Sequence, residues 1–124
     1  MKIYLAAPFS ASHQVEYGYA RDLMNWGHIV VSQWHHDVSL LEDLGQAARR
    51  DLEDILCADI LILLAELQTA SNTGGRHVEF GFALARNKRV MVVGSRQNLF
   101  HYLPNVETFP TWKQCLDFLC NPWR

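Results

Sequence analysis

Residues 59–65 read DILILLA, and this stretch decides the fold class. Its apolar residues follow one another without the alternation of a strand that has one face in water. Such a run is typical of a strand in the interior of a parallel sheet, where helices cover both faces. The run from Ile60 to Ala65 is too short to span a bilayer. We therefore predict a central parallel strand here.

Three further apolar runs predict strands: residues 3–7 (IYLAA), 28–34 (HIVVSQW) and 89–94 (RVMVVG). Helical spacing of apolar residues predicts helices at about 12–26, 46–56 and 111–119, and a further helix that carries Glu79. The side chains expected to face the core are Val15, Tyr19, Leu23 and Trp26, then Ala48, Leu52, Ile55 and Leu56, then Trp112, Cys115, Leu116 and Leu119. Strands that alternate with helices predict an α/β fold. We expect a single Rossmann-like three-layer domain over residues 1–124, with a parallel, flavodoxin-like sheet of four to five strands.

Composition narrows the class of partner. The chain has 124 residues, 49% of them hydrophobic, which suffices for one compact core. A net charge of −2 without runs of like charge argues against duplex nucleic acid and anionic membranes. Cys57, Cys115 and Cys120 have no paired spacing, so we expect reduced, mostly buried thiols in a cytoplasmic protein. The N-terminal IYLAA run lacks the length and flanks of a signal peptide.

Ligands of such sheets bind beyond the carboxyl ends of the strands. In this sequence those ends are residues 6–10, 33–37, 65–75 and 94 onward. Glu79 follows the third of them, in a helix that begins after Gly74 and Gly75. A carboxylate at this place serves as a nucleophile, a general base or an ion-pair partner of Arg76. The two glycines are either ordinary loop residues or allow close backbone approach to an anion or a sugar hydroxyl.

Two aspartates and a polar cluster are further candidates. Asp51 lies on the flank of the second helix's apolar stripe and is either a site residue or a solvated partner of a neighbouring arginine. Asp59 starts the central strand, where a capping or turn role is the more common one.

Trp34, His35, His36 and Asp37 follow the second strand. No second cluster has ligand spacing, so we expect a planar base held by stacking and hydrogen bonding rather than a metal. Ser10 and Ser12 lie in no G-x-S-x-G pattern, and a serine nucleophile is not expected.

Three parts of the chain together resemble the nucleoside 2-deoxyribosyltransferase family, including 2′-deoxynucleoside 5′-phosphate N-hydrolase. They are Tyr4, residues 49–66 (RRDLEDILCADILILLAE) and residues 72–90 (NTGGRHVEFGFALARNKRV). The resemblance implies cleavage of the N-glycosidic bond of a 2′-deoxynucleoside or its 5′-monophosphate, without a cofactor. A covalent deoxyribosyl-glutamate intermediate would pass the sugar to another base or to water.

The resemblance also implies roles for single residues. Glu79 matches the nucleophile, Asp51 an aspartate that positions the sugar or protonates the base, and Tyr4 a tyrosine that orients the glutamate. The substrate-binding residues expected from the resemblance and from the strand ends are Ala7, Pro8, Phe9, Ser10, His35, Asp59, Thr73, Gly75 and Asn98. Ser10 stands where the hydrolase has an arginine beside the phosphate, and Thr73 where transferases often have an aspartate.

The resemblance implies that a neighbouring subunit completes the cleft, with Asn98 as the candidate residue. A homodimer or higher oligomer is also expected because one small core cannot easily bury so many large apolar side chains. Those side chains are Trp26, Trp34, Phe80, Phe82, Phe100, Tyr102 and Trp123. The alternative to an enzyme is a non-catalytic nucleotide-binding or sensing module on the same fold, and a phosphoribohydrolase is a more distant third.

Overall fold

The computed structural model describes residues 1–36, 43–68 and 73–121 of the 124. Its strands are β1 (Lys2–Ala6), β2 (Ile29–Val30), β3 (Ile60–Leu64), β4 (Arg89–Val93) and β5 (Val106–Phe109). Its helices are α1 (Ser12–Gln14), α2 (Ala20–Asn25), α3 (Leu44–Cys57), α4 (Gly75–Ala85) and α5 (Trp112–Cys120). A π-helical turn, Val15–Tyr19, joins α1 to α2, and 3-10 turns cover Phe9–Ala11 and Leu99–Tyr102.

The five strands form one parallel sheet in the order β2-β1-β3-β4-β5. The predicted central strand, β3, is buried at all five of its residues. On one face the first helical segment packs against α5, where the Trp112 indole donates to Asp22 (2.9 Å). On the opposite face, where right-handed crossovers place them, α3 packs against α4. The predicted α/β, Rossmann-like fold with a flavodoxin-like strand order is confirmed.

The second strand is shorter than the predicted 28–34, since only Ile29–Val30 pair as strand. Beyond it, the Val31 N–H still donates to the Ile3 carbonyl (2.8 Å), and after Val31 hydrogen bonds that involve side chains take the place of the ladder. The Leu5 N–H donates to Ser32 Oγ (3.2 Å), and the Trp34 indole N–H donates to the Leu5 carbonyl (2.7 Å). The chain therefore turns away from β1 while it stays attached to it.

The fifth strand, β5, was not among the four predicted runs. Its sequence, VETF, contains a glutamate and a threonine, so it lacks the run of apolar residues by which the other strands were predicted. Glu107 is bound there by both Nε (2.5 Å) and Nη2 (2.6 Å) of Arg89 on β4. The edge is thus held by a bidentate ion pair as well as by the ladder.

Three side chains predicted to face the core are exposed instead: Trp26 (63%), Leu56 (41%) and Ala48. The first helix ends at Asn25, so Trp26 is no longer helical and does not continue the inward-facing positions of the helix. In α3 the buried positions are Asp54 and Ile55. The inward face of α3 is rotated because Asp54 is buried against Gln33 by hydrogen bonds, which an apolar pattern does not reveal.

The thiols are less buried than predicted, since Cys57 is exposed, Cys120 is half-buried and Cys115 alone is buried. The described helices include none that is long and apolar enough to cross a membrane. Asp37 and Trp123, both considered above, lie outside the described residues.

Candidate active site

A cleft of about 370 Å³ opens at the carboxyl edge of the sheet, where ligands of this architecture bind. Its lining residues are Ala7, Pro8, Phe9, Ser10, Trp34, Asp51, Thr73, Gly75, Arg76 and Glu79. Eight of these ten are residues that the sequence predicted for the site, all but Trp34 and Arg76. The cleft therefore gathers residues from the end of β1, the loop after β2, α3 and the start of α4.

Glu79 reaches the cleft from α4. Gly74 precedes the helix in the left-handed conformation (φ 79°), which glycine adopts without strain and which turns the chain into Gly75. Behind the carboxylate, the fully buried Tyr4 of β1 donates its hydroxyl to Glu79 Oε2. No described residue forms an ion pair with Glu79, so the alternative pairing with Arg76 is not what the structure shows.

The environment of Glu79 opposes its negative charge. The pKa of this carboxyl is raised to about 7. Burial is the largest cause, the charge of Asp51 raises the pKa further, and the Tyr4 hydrogen bond offsets part of the rise. The Tyr4 hydroxyl has its own pKa raised, first by burial and then by the charge of Glu79. Tyr4 therefore remains a hydrogen-bond donor throughout the accessible pH range.

Asp51 is the second carboxyl of the cleft and lies on α3. The helix begins at Asp43, whose side chain accepts from the Gln46 N–H (3.1 Å). The pKa of Asp51 is raised to about 6. Burial is the largest cause, the Arg50 charge lowers the pKa, and the Asp54 charge raises it. Asp51 Oδ1 is buried and has no hydrogen-bond partner among residues 1–36, 43–68 and 73–121. Asp51 thus lines the cleft with one oxygen that no described residue satisfies.

Glu79 and Asp51 act on each other, since the charge of Asp51 disfavours ionisation of Glu79. Two such groups titrate as a pair, and near neutral pH they hold about one proton between them. One carboxylate and one carboxylic acid across a single cleft is the arrangement that glycosidases use for attack and for protonation of the leaving group.

An aromatic wall closes another side of the cleft. Trp34 is buried and fixed by its hydrogen bond to Leu5. The ring of Phe9, which is 64% exposed, lies 6.4 Å from the Trp34 ring at 42°. The sequence analysis places Trp34 in a cluster that could hold a base, but not among the expected substrate-binding residues. Its position at the carboxyl end of a parallel strand is the sequence feature that indicates a place in the cleft.

Three predicted substrate-binding residues lie outside the cleft lining. His35 is buried, with Nε2 2.7 Å from Ser32 Oγ and Nδ1 2.8 Å from Glu16 Oε1, so it holds the loop after β2. Asp59 lies at the amino edge of the sheet, where it accepts from the Lys2 N–H (2.8 Å). That edge is one strand length, roughly 17 Å, from the cleft, so the structure assigns Asp59 the capping role instead.

Asn98, the third, caps the 3-10 turn Leu99–Tyr102 by accepting from the Phe100 N–H (3.0 Å). Its amide also lies 3.4 Å from Nδ1 of His77 on α4. It does not line the cleft of its own chain, and its role in a neighbour's cleft stays a prediction.

Arg76, the residue that sequence reasoning assigned only to an ion pair, lines the cleft and is 8% exposed. It adds a buried positive charge to a site with two carboxyl groups. Ser10 and Thr73 add hydroxyl groups at the exposed mouth. Within the described part of the chain, no group of three His, Cys, Asp or Glu side chains is arranged to hold a metal ion.

No family model matches the sequence, and no curated protein matches it either. Several solved structures match its fold, and two of them do so over nearly the whole chain. A CMP N-glycosidase of Clostridium botulinum is 19% identical, with a TM-score of 0.68 over 96% of this chain and 98% of that one. A 2-deoxyribosyltransferase of Bacillus psychrosaccharolyticus is 24% identical, with a TM-score of 0.71 over 94% of this chain and 91% of that one.

The chain has the nucleoside 2-deoxyribosyltransferase-like fold. The expectation of this fold, drawn from Tyr4 and the two segments around Asp51 and Glu79, is confirmed. Those two segments supply five residues of the cleft lining: Asp51, Thr73, Gly75, Arg76 and Glu79.

The buried carboxyl of Glu79 predicts a measurable cost in stability. Its folded pKa of about 7 exceeds the ordinary value of 4.5, so ionisation is harder in the folded state than in the unfolded state. Folding stability is therefore lost as the pH rises from about 4.5 through about 7. Glu79→Gln, which still accepts from Tyr4, should raise the free energy of unfolding at about pH 8 by about 1–3 kcal/mol.

Urea unfolding of both proteins at about pH 4 and about pH 8 measures this difference. The gain should vanish at the lower pH, where Glu79 is protonated in both states. The matched control is Asp117→Asn on α5, an exposed carboxylate, which should show no such pH dependence. A Glu79→Gln protein no more stable than wild type at the higher pH would contradict the burial cost.

Proposed function

We propose that the protein cleaves the N-glycosidic bond of a 2′-deoxynucleoside or its 5′-monophosphate through a covalent sugar–Glu79 intermediate. The observation that carries the proposal is the pair of desolvated carboxyl groups, Glu79 and Asp51, in one cleft, with Tyr4 donating to Glu79. The 2-deoxyribosyltransferase and the N-glycosidase that share the fold support a reaction of this class.

In the first step, the Glu79 carboxylate attacks C1′ of the sugar, and the C1′–N bond breaks. The electron pair of that bond leaves with the base, and Asp51 supplies the proton that the base needs as it departs. The ester formed at Glu79 preserves the sugar for a second step. An incoming base, or water, then attacks C1′ and returns Glu79 to its carboxylate, while Asp51 recovers a proton from the attacking group.

Tyr4 directs the attack, because its hydroxyl donates to Oε2 and leaves Oε1 of Glu79 as the attacking oxygen. It also favours the ionised form of Glu79 in a surrounding that otherwise opposes the charge. The wall of Phe9 and Trp34 presents aromatic faces to the cleft. A planar base stacks on such a surface.

A 2-deoxy sugar suits this chemistry because no electron-withdrawing 2′-hydroxyl destabilises the oxocarbenium-like transition state. The two structural neighbours are named for different sugars, since CMP is a ribonucleotide and the other enzyme transfers 2-deoxyribose. We propose a preference for the deoxy series of at least about tenfold, on the order of one to several kcal/mol of barrier.

The second candidate, a non-catalytic nucleotide-binding module, is disfavoured by the same carboxyl pair. Recognition of a nucleotide needs hydrogen-bond donors, stacking surfaces and positive charge, which Ser10, Trp34 and Arg76 supply. A half-buried carboxyl group such as Glu79, kept among them at a cost in stability, favours a reaction over binding alone.

Glu79→Ala should abolish turnover by several orders of magnitude, because the covalent route is lost. The assay incubates the protein with each 2′-deoxynucleoside, each 5′-monophosphate and the matching ribo compounds, with and without a second free base, and separates the products. Mass spectrometry of the wild-type protein quenched during turnover should show the Glu79 peptide heavier by one sugar residue. The control is Glu53→Gln, an exposed carboxylate on α3, which should remain active.

A Glu79→Ala protein that keeps its circular dichroism spectrum and a near-wild-type rate would exclude Glu79 as the nucleophile. A new nucleoside formed with the second base indicates transfer, whereas free sugar indicates hydrolysis. Ribo compounds cleaved as fast as their deoxy counterparts would remove the proposed sugar preference.

The pH profile of kcat/KM should be bell-shaped, with limbs near pH 6 and pH 7 that belong to the Asp51–Glu79 pair. Below the lower limb both carboxyl groups are protonated and the nucleophile is lost. Above the upper limb both are ionised and the acid is lost, so the singly protonated pair is the active form. Initial rates at constant ionic strength across this range measure the profile, and a rate that keeps rising to about pH 9 would contradict it.

We further propose that the protein works as a homodimer that buries the apolar surface formed by α4 and the turn after β4. The large exposed side chains there are Val78 (68%), Leu99 (75%), Phe100 (55%), Tyr102 (69%) and Leu103 (40%). The contact of Asn98 with His77 joins the two segments of this surface. Light scattering combined with an Asn98→Ala rate assay tests the proposal. A monomer that is fully active would contradict the proposed dimer. A dimer in which Asn98→Ala keeps full activity would contradict only the proposal that Asn98 completes the neighbour's cleft.

A further inference from the structure

Asp54 is a carboxyl group that neither the sequence patterns nor the proposed reaction uses. It lies on α3, three residues after Asp51, and is 7% exposed. Residues three apart on a helix are neighbours on its surface. A third carboxyl group thus lies on α3 next to the one proposed to protonate the leaving base, and its charge acts on that group.

Two hydrogen bonds hold Asp54 in place, and both come from Gln33. The Gln33 backbone N–H donates to Oδ2 (3.1 Å), and its side-chain Nε2 donates to Oδ1 (2.9 Å). Each carboxylate oxygen therefore has a donor. Burial raises the pKa of Asp54 above its ordinary value, and the two Gln33 hydrogen bonds offset part of that rise. We call this arrangement the Gln33–Asp54 clamp.

The clamp connects two sides of the cleft. Gln33 immediately precedes Trp34, the aromatic residue of the cleft wall, in the segment that has left the β2 ladder. Asp54 lies on the helix that carries Asp51. The distance between the aromatic wall and the proposed acid is thus fixed by a charge-assisted contact rather than by sheet pairing.

Among residues 1–36, 43–68 and 73–121, the charged and titratable groups around Asp51 come from three elements. Arg50 and Asp54 lie on its own helix, Glu79 and the cleft-lining Arg76 on α4, and the Tyr4 hydroxyl on β1. Arg50 favours ionisation of Asp51, whereas a negative Asp54 opposes it. After burial, the charge of Asp54 is thus what raises the pKa of Asp51 from within α3, while the Tyr4 hydrogen bond lowers the pKa of Glu79.

We propose that Asp54 is a positioning residue for the acid step, held by Gln33 so that its negative charge keeps the transferable proton on Asp51. The inference rests on the proposed cleavage of an N-glycosidic bond. A merely structural clamp would also lower activity when broken, but it would lower activity equally for every leaving group and at every pH.

The test compares Asp54→Asn with wild type on two substrates. One is the fastest-cleaved natural deoxynucleoside or monophosphate, and the other is 4-nitrophenyl 2-deoxyriboside, whose phenolate leaves without a proton. Asp54→Asn keeps the size of the side chain and one acceptor for Gln33. The alkaline limb of kcat for the natural substrate should move down by about half a pH unit to one unit.

At about pH 8 the natural substrate should then lose about three- to tenfold in kcat, while the nitrophenyl substrate changes less than about twofold. The matched control is Glu53→Gln, which removes a carboxylate from an exposed position of the same helix and should move neither limb. Gln33→Met removes the side-chain donor and keeps the carboxyl, and it should shift the limb in the same direction by a smaller amount.

Equal losses on both substrates, or an alkaline limb that stays in place in Asp54→Asn, would overturn the inference and reduce the clamp to a structural contact. If Asp54→Asn does not fold, the same two measurements on Gln33→Met decide the question. A wild-type protein that cleaves neither substrate removes the proposed function and the inference together. A wild type that cleaves both, with variants that behave like it, removes the inference alone.

Discussion

The hydrogen bond from Tyr4 to Glu79 joins the buried interior of the sheet to the reactive end of the cleft. Tyr4 belongs to β1, which pairs on both sides, with β2 and with β3, so its hydroxyl has little freedom to move. Glu79 lies in a surrounding that disfavours its charge, and this single donor offsets part of that penalty. This contact ties α4 to the sheet. The glycine turn before α4 and the cleft beside it lie next to the contact.

The cleft has two kinds of wall, built by different means. Glu79 and Asp51 come from α4 and α3, which pack against each other on one face of the sheet. Regular elements hold side chains with the accuracy that bond cleavage requires. Trp34 comes from an irregular segment, where hydrogen bonds from and to side chains set the backbone. The two carboxyl groups of the cleft thus lie on helices, while the aromatic surface of Trp34 lies on a loop, the part of a fold that varies most readily.

Much of the fold and of the cleft lining could be predicted from the sequence. The unbroken apolar run of β3 predicted the parallel sheet, and the order of elements predicted which loops meet at one edge. That edge, together with the resemblance, placed Glu79, Asp51 and the end of β1 in one cleft. Asp59 was misplaced because a residue at the start of a strand lies at the wrong edge, whatever its chemistry.

The misplaced inward face of α3 has a clear physical origin. Apolar periodicity counts a carboxylate as solvent-facing, so it could not reveal that hydrogen bonds bury Asp54 and rotate the inward face of α3. The same tertiary hydrogen bonds shortened β2. With only Ile29–Val30 in the ladder, the aromatic wall beyond them is secured by a few separate contacts rather than by a cooperative sheet. Such a segment opens at a lower free energy than the sheet interior. In the proposed reaction, this difference lets the base leave, and another enter, by a local opening of the aromatic wall while the helix α4 that carries Glu79 stays in place.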